Sequence, residues 1–93
     1  MFELVGIGED EFLTYKGRPL VRSGIEIFYG DLNAAAHVEM QINGEKVVSG
    51  FKLPADIMVH LFEKDAPVPK RTFKATGLFD ALSTSAHWLD AYN

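Results

Sequence analysis

Residues 76–93 read TGLFDALSTSAHWLDAYN and contain no proline. Apolar side chains recur at helical spacing in this segment and fall on one stripe, with further apolar or small residues at its margins. The stripe consists of Leu78, Leu82, Leu89 and Tyr92, and the margins of Phe79, Ala86 and Trp88. The opposite side is polar, Thr76 is a suitable N-cap, and Asp80 complements the positive end of the helix dipole. We therefore predict an amphipathic helix of about four turns, which is stable in water only if it packs on an apolar surface.

The rest of the chain supplies that surface as a set of short strands. Apolar runs rich in β-branched and aromatic residues alternate with turn residues about every eight to ten positions, which is typical of a small antiparallel β protein. The predicted strands cover residues 12–15, 20–22, 25–29, 37–42, 45–49, 57–62 and 71–75. The short turns between the first three strands predict a meander. Residues 32–36 favour a helical turn or a loop, and Pro67 and Pro69 place a loop at residues 64–69.

The clearest strand pattern lies at the centre of the chain, where Val38, Met40 and Ile42 alternate with polar residues. Asn43 and Gly44 follow directly, and both residue types tolerate a positive φ. The sequence therefore predicts a tight hairpin with a type I′ turn at these two positions.

The second half of this hairpin is less regular. The return strand could extend through residues 51–53 with Gly50 as a bulge, and Pro54 marks a break over residues 54–56. Residues 57–62 are apolar on both sides, which predicts a central strand covered on both faces.

Size and composition agree with a single globular domain over residues 1–93. The chain has a mass of 10.3 kDa, with 47% hydrophobic and 24% charged residues, and a chain of this length rarely holds two cores. We predict the α+β class, with a twisted antiparallel sheet of about six strands that could curl toward a barrel. The single C-terminal amphipathic helix packs on one face of this sheet.

Charge narrows the classes of partner. The formal net charge is −4 and the isoelectric point is about 5.2, whereas proteins that bind nucleic acid usually carry a basic excess, so the balance argues against nucleic acid. No apolar run approaches the length of a membrane helix. The first residues lack the features of a secretory signal, so we expect a cytoplasmic protein without a membrane partner.

Candidate catalytic and metal-ligating residues are few. The chain has no cysteine, which excludes thiolate nucleophiles and cysteine metal sites. Ser83, His87 and Asp90 are the residue types of a hydrolase triad, but consecutive turns of one exposed helix splay such side chains outward. The three histidines show no close metal-ligand spacing. We therefore predict a protein that is not an enzyme and binds no metal and no cofactor.

Aromatic residues make up 12% of the chain, more than a small core needs. We predict a non-enzymatic interaction module that binds another protein or itself through sheet-edge and aromatic surfaces. The candidate protein-binding residues are Phe28, Tyr29, Trp88 and Tyr92.

Two other functions remain open at this point. The first is a small regulator that binds an anionic ligand or nucleic acid through a basic patch of Lys16, Arg18 and Arg22. The second is an acidic inhibitor that mimics nucleic acid, for which a net charge of −4 is modest.

Residues 15–24, YKGRPLVRSG, and residues 27–31, IFYGD, carry a family resemblance. They resemble the YKGxPLVRxGxxIxYG-like opening of a group of small uncharacterised bacterial proteins, which also end in a helix similar to residues 77–82 followed by Trp88 and Leu89. Ile25 departs from the polar turn residue that is usual in that group. The resemblance implies a bacterial or phage-encoded protein, and it implies no activity, cofactor or catalytic residue.

Overall fold

The computed structural model describes residues 2–5 and 12–92, which form one antiparallel sheet followed by one helix. The seven strands are β1 (Phe2–Val5), β2 (Phe12–Tyr15), β3 (Arg18–Ser23), β4 (Glu26–Tyr29), β5 (Ala36–Val48), β6 (Phe51–Glu63) and β7 (Arg71–Ala75). The helix α1 spans Leu78–Asp90. The strands follow one another in chain order across the sheet, and each pairs with the next. This confirms the predicted α+β class, with an open sheet rather than a barrel.

The core lies between one face of the sheet and α1. The strand pattern predicted for β5 is confirmed, because its alternate apolar side chains are buried and face the equivalent residues of β6. The buried pairs are Val38 with Leu61, Met40 with Val59, and Ile42 with Ile57. The intervening residues of β6 are only half-buried, so the prediction that this strand is covered on both faces is wrong. No described helix is long and apolar enough to cross a membrane.

The hairpin predicted at Asn43 and Gly44 is wrong, because β5 continues through both residues as far as Val48. The turn lies at Ser49 and Gly50, which have φ values of 51° and 83°. Both dipeptides can adopt positive φ, so a turn is sterically possible at either position. The observed register places the apolar side chains of β5 opposite those of β6, whereas a turn at residues 43–44 would pair them with residues 45–49.

The break predicted at residues 54–56 is also wrong, because β6 runs through it without a change of register. Asp56 has a φ of 54° inside the strand, a left-handed conformation that aspartate tolerates better than most residues. Gly44 lies near it, and a Cβ added at that glycine would be 3.5 Å from the Asp56 Cβ. The irregularity of the sequence therefore marks a local distortion of a long strand rather than its end.

Helix α1 follows the predicted stripe with two differences. Its N-cap is Gly77 rather than Thr76, and no side chain caps the first turn. The buried face includes Ala81 and Ser85, which the predicted stripe omits, and the Ser85 hydroxyl donates a 2.7 Å hydrogen bond to the Ala81 carbonyl. This bond satisfies the buried hydroxyl within the helix.

Candidate protein-interaction site

The second half of the β5–β6 hairpin projects beyond the rest of the sheet. The last pair between β4 and β5 is Glu26 with Gln41, and the last pair between β6 and β7 is Ile57 with Ala75. Residues 43–48 and 51–56 therefore form a two-stranded ribbon about 20 Å long. Within the described part of the chain, nothing pairs with either outer edge of this ribbon.

Large apolar side chains are exposed on the ribbon and on the first turn of α1. The exposed fraction is 70% for Phe51 and 80% for Phe79, although an aromatic side chain gains most when it is buried. We call the exposed apolar residues on the helix side of the ribbon, together with Phe79, the hairpin patch: Val48, Phe51, Leu53 and Phe79. Isolated exposed apolar residues are normal on a protein surface, whereas a group of them on one surface is a candidate interaction site.

Register explains how the patch is arranged. Lys46 lies opposite Leu53, and Val48 lies opposite Phe51, so these four side chains share one face of the ribbon. That face adjoins a groove of about 410 Å³ between the ribbon and the N-terminal end of α1. The groove is lined by Lys46, Leu53, Pro54, Thr76, Gly77, Leu78, Phe79 and Asp80. Leu53 of the ribbon and Phe79 of the helix thus line the same groove.

The four predicted protein-binding aromatic residues do not form one surface. Tyr29 is fully buried, and its hydroxyl donates a 2.9 Å hydrogen bond to the Tyr15 carbonyl. Phe28 is half-buried and, by strand alternation, points away from the helix. Trp88 packs edge-to-face on Phe73 with ring centroids 6.4 Å apart.

Tyr92, the fourth aromatic candidate, is half-buried and donates a 3.1 Å hydrogen bond to Glu63 Oε2. Trp88 and Tyr92 do lie near each other. Both line a second depression, the C-terminal cleft, which has a volume of about 350 Å³. The cleft is lined by Leu61, Lys70, Arg71, His87, Trp88, Ala91 and Tyr92. This cleft lies between the start of β7 and the end of α1.

The basic residues predicted to bind an anion are likewise divided. Arg18 forms a 2.7 Å ion pair with Asp90 at the end of α1, and the Lys16 ammonium lies over the Tyr15 ring. Arg22 is four residues along β3 from Arg18, about 13 Å away, and donates to the Gly24 carbonyl. The three cations therefore do not converge on one anion-binding site.

The hydrogen bond from Arg18 holds the pKa of Asp90 below its ordinary value of 3.8. The stabilisation from this pair is therefore complete at neutral pH and is lost as the pH falls below about 4, through the pKa of the folded state. We expect Asp90→Asn to lower the melting temperature at pH 7, and the difference from wild type to shrink at pH 3. Asp65→Asn, in an exposed loop, serves as the control in thermal melts at both pH values. An equal loss for Asp90→Asn at both pH values would contradict the ion-pair explanation.

Two histidines lie on the sheet face away from α1. Nε2 of His37 is hydrogen-bonded to Glu39 Oε2 at 2.8 Å, and the His37 ring stacks on Phe62. Nδ1 of His60 is 3.1 Å from the Thr72 hydroxyl. Among residues 12–92, no three histidine or carboxylate side chains are grouped so that they could hold a metal ion. Both histidines therefore take part in hydrogen bonds with neighbouring side chains on this face of the sheet.

The triad residue types on α1 are placed as helix geometry predicts. Ser83, His87 and Asp90 are all exposed, and the Asp90 carboxylate accepts its hydrogen bond from Arg18. A catalytic triad requires a histidine base that is oriented by a carboxylate, and this group does not form such a pair.

The residues that dominate the hairpin patch were not among the predicted binding residues. The sequence pattern places Phe51 in a strand extension and Phe79 at the margin of the helix stripe. One signal in the sequence points to the ribbon. In the segment from Val47 to Leu53, apolar residues lie on both sides of a Ser-Gly pair, a dipeptide that favours a hairpin turn.

No protein-family model matches the chain, and neither a curated protein nor a solved structure shows significant similarity to it. The resemblance to small bacterial proteins therefore stays a prediction.

Proposed function

We propose that this chain is a non-enzymatic protein-interaction module that binds a second copy of itself through the hairpin patch. The observation that supports the proposal is the projecting ribbon with exposed apolar side chains, next to the exposed Phe79 on α1. A two-stranded ribbon alone is marginally stable in water, so a partner that covers it also stabilises it.

The size of the patch favours a second copy. Its four side chains expose roughly 450 Å², so two copies that cover each other would bury about 900 Å² from these residues alone. The aliphatic stem of Lys46, which lies on the same face of the ribbon, brings the area to about 1,000 Å², the lower limit for a specific interface. A two-fold dimer thus needs no surface beyond the ribbon and the first turn of α1.

Charge on the ribbon supports contact between identical surfaces. Glu45, Lys46, Lys52 and Asp56 carry both signs in equal number, so two copies of the ribbon can approach without net repulsion. The same mixture gives no support to mimicry of nucleic acid, which requires a surface of one sign.

Sedimentation over a wide concentration range tests the proposal. We expect wild type to dimerise at micromolar concentration, and Phe51→Glu to raise the dimer dissociation constant at least ~100-fold, because each dimer contains the substitution twice. Phe79→Glu should have the same effect. Because Phe79 lies on α1, this result would show that the loss of the dimer does not come from local misfolding of the ribbon. The control is Leu32→Glu, which changes an apolar residue with an exposed fraction of 61% in the loop after β4.

A wild type that stays monomeric at every concentration would overturn the self-association. Dissociation by Leu32→Glu to the same extent as by Phe51→Glu would place the interface elsewhere. If a different protein occupies the patch instead, its binding should be lost in Phe51→Glu and Phe79→Glu while wild type remains monomeric.

A further inference from the structure

A second surface lies at the opposite end of β7 from the projecting ribbon. Arg71 at the start of β7 pairs with Leu61, whereas the ribbon begins beyond the pair of Ala75 with Ile57. β7 is an edge strand, and among residues 2–5 and 12–92 only β6 pairs with it. Its outer edge therefore presents unpaired backbone N–H and C=O groups, which can accept an added strand.

The C-terminal cleft borders this edge on the helix side. Phe73 of β7 packs on Trp88 of α1, so the helix covers one face of the strand and leaves a depression beside it. A strand added to β7 would direct alternate side chains into this depression, since side chains i and i+2 share a face. Trp88 and Tyr92 give the cleft an aromatic wall against which an apolar side chain can pack.

The charges at the strand side of the cleft are positive. Lys70 forms a 3.3 Å ion pair with Glu63, but Arg71 is exposed and has no carboxylate within ion-pair distance in the described part of the chain. His87 adds a further hydrogen-bonding group on the helix side. The C-terminal end of α1 carries a partial negative charge, so an anionic group is favoured beside Arg71 rather than beside Ala91.

We propose that the edge of β7 and the C-terminal cleft bind an extended acidic peptide by strand addition. The peptide backbone pairs with β7, a glutamate or aspartate side chain lies beside Arg71, and an apolar side chain two residues along packs on Trp88. Arginine suits this role because its guanidinium can donate two parallel hydrogen bonds to one carboxylate. This site is separate from the hairpin patch, so the inference goes beyond the proposed self-association.

Fluorescence titration with a defined probe tests the site. Trp88 is the only tryptophan in the chain, so its emission reports on the cleft directly. The probe is the hexapeptide Glu-Thr-Leu-Thr-Glu-Thr with blocked ends, in which glutamate and leucine stand two residues apart on one face of the strand. The comparison peptide has glutamine in place of each glutamate. We expect the acidic peptide to change the emission and to bind at least tenfold more tightly than the comparison peptide.

Two changes separate the parts of the proposal. Arg71→Glu should weaken binding of the acidic peptide at least tenfold, whereas Arg22→Glu, which reverses an exposed arginine outside the cleft, should leave it unchanged. Methylation of alternate backbone nitrogens of the peptide should abolish binding, because it removes the main-chain hydrogen bonds of an added strand. Equal binding by the methylated peptide would overturn strand addition, and equal binding by Arg71→Glu would overturn acidic recognition at this site.

The Phe79→Glu variant keeps this test independent of self-association. It should lose the dimer but bind the acidic peptide with unchanged affinity, because Phe79 does not line the cleft. If no peptide changes the emission of Trp88, the proposed peptide binding is overturned. The proposed self-association does not depend on that result. The lysines near β7 would then serve only to discourage edge-to-edge aggregation.

Discussion

Tyr29→Ala is expected to destabilise the fold by about 3–5 kcal/mol, a large part of the ~5–15 kcal/mol that stabilises a typical domain. Tyr29 is fully buried and meets the Tyr15 ring edge-to-face at 5.8 Å. Its hydroxyl donates to the Tyr15 carbonyl, and burial raises its pKa, as expected for a phenol removed from water. Urea unfolding followed by circular dichroism measures the loss as a lower midpoint.

Two control variants separate the contributions to this effect. Tyr29→Phe keeps the ring and removes the hydroxyl, so we expect a loss of about 1 kcal/mol, the usual value of one hydrogen bond. Phe28→Ala changes a half-buried ring on the opposite face of the same strand and should cost less than Tyr29→Ala. A stable Tyr29→Ala variant that lost binding of a partner would restore the role that the sequence predicts for this residue.

The fold class and most elements could be predicted from the sequence, because the two-residue alternation of the strands and the helical spacing of α1 are both clear in it. The alternation of Val38, Met40 and Ile42 predicts a half-buried strand, and that face is buried in the structure. The spacing of Leu82 and Leu89 predicts the helix face that contacts the sheet. In both cases the pattern and the burial agree because, in the described part of the chain, α1 covers one face of the sheet.

The central hairpin could not be predicted, because two dipeptides compete for the turn. Asn43-Gly44 has the stronger local preference for a tight turn. The turn nevertheless lies at Ser49-Gly50, because that register pairs the apolar residues of β5 with those of β6. Each alternative changes every cross-strand neighbour, so the contacts of many residues outweigh the preference of two. Local turn signals therefore determine which positions can turn, and long-range packing determines which one does.

The candidate site could not be predicted either, because exposure also depends on long-range packing. Phe51 and Phe79 belong to apolar patterns, and a pattern predicts burial. Their exposure results from the length of the hairpin, which projects beyond β4 and β7, and from the position of the first turn of α1. Conversely Tyr29 resembles an interface residue by type, and only its central place in the sheet reveals that it is part of the core.

Leu82→Ala and Phe79→Ala on the same helix should differ strongly in their effect on the melting temperature of the monomer. Leu82 is buried against the sheet, so its truncation should cost about 2–5 kcal/mol and lower the melting temperature by roughly 10 °C or more. Phe79→Ala removes a side chain that is 80% exposed and should leave the melting temperature of the monomer nearly unchanged. Calorimetry at low protein concentration measures both values.

The concentration dependence of these melts connects the fold to the proposed interface. A dimer that forms through Phe79 raises the wild-type melting temperature as protein concentration increases, because association stabilises the folded state by mass action. Phe79→Ala should reduce this dependence, whereas Leu82→Ala should keep it and shift the whole series downward. A Phe79→Ala variant with the full wild-type dependence would mean that this side chain contributes nothing to association. The hairpin patch would then have to be restricted to the ribbon around Phe51.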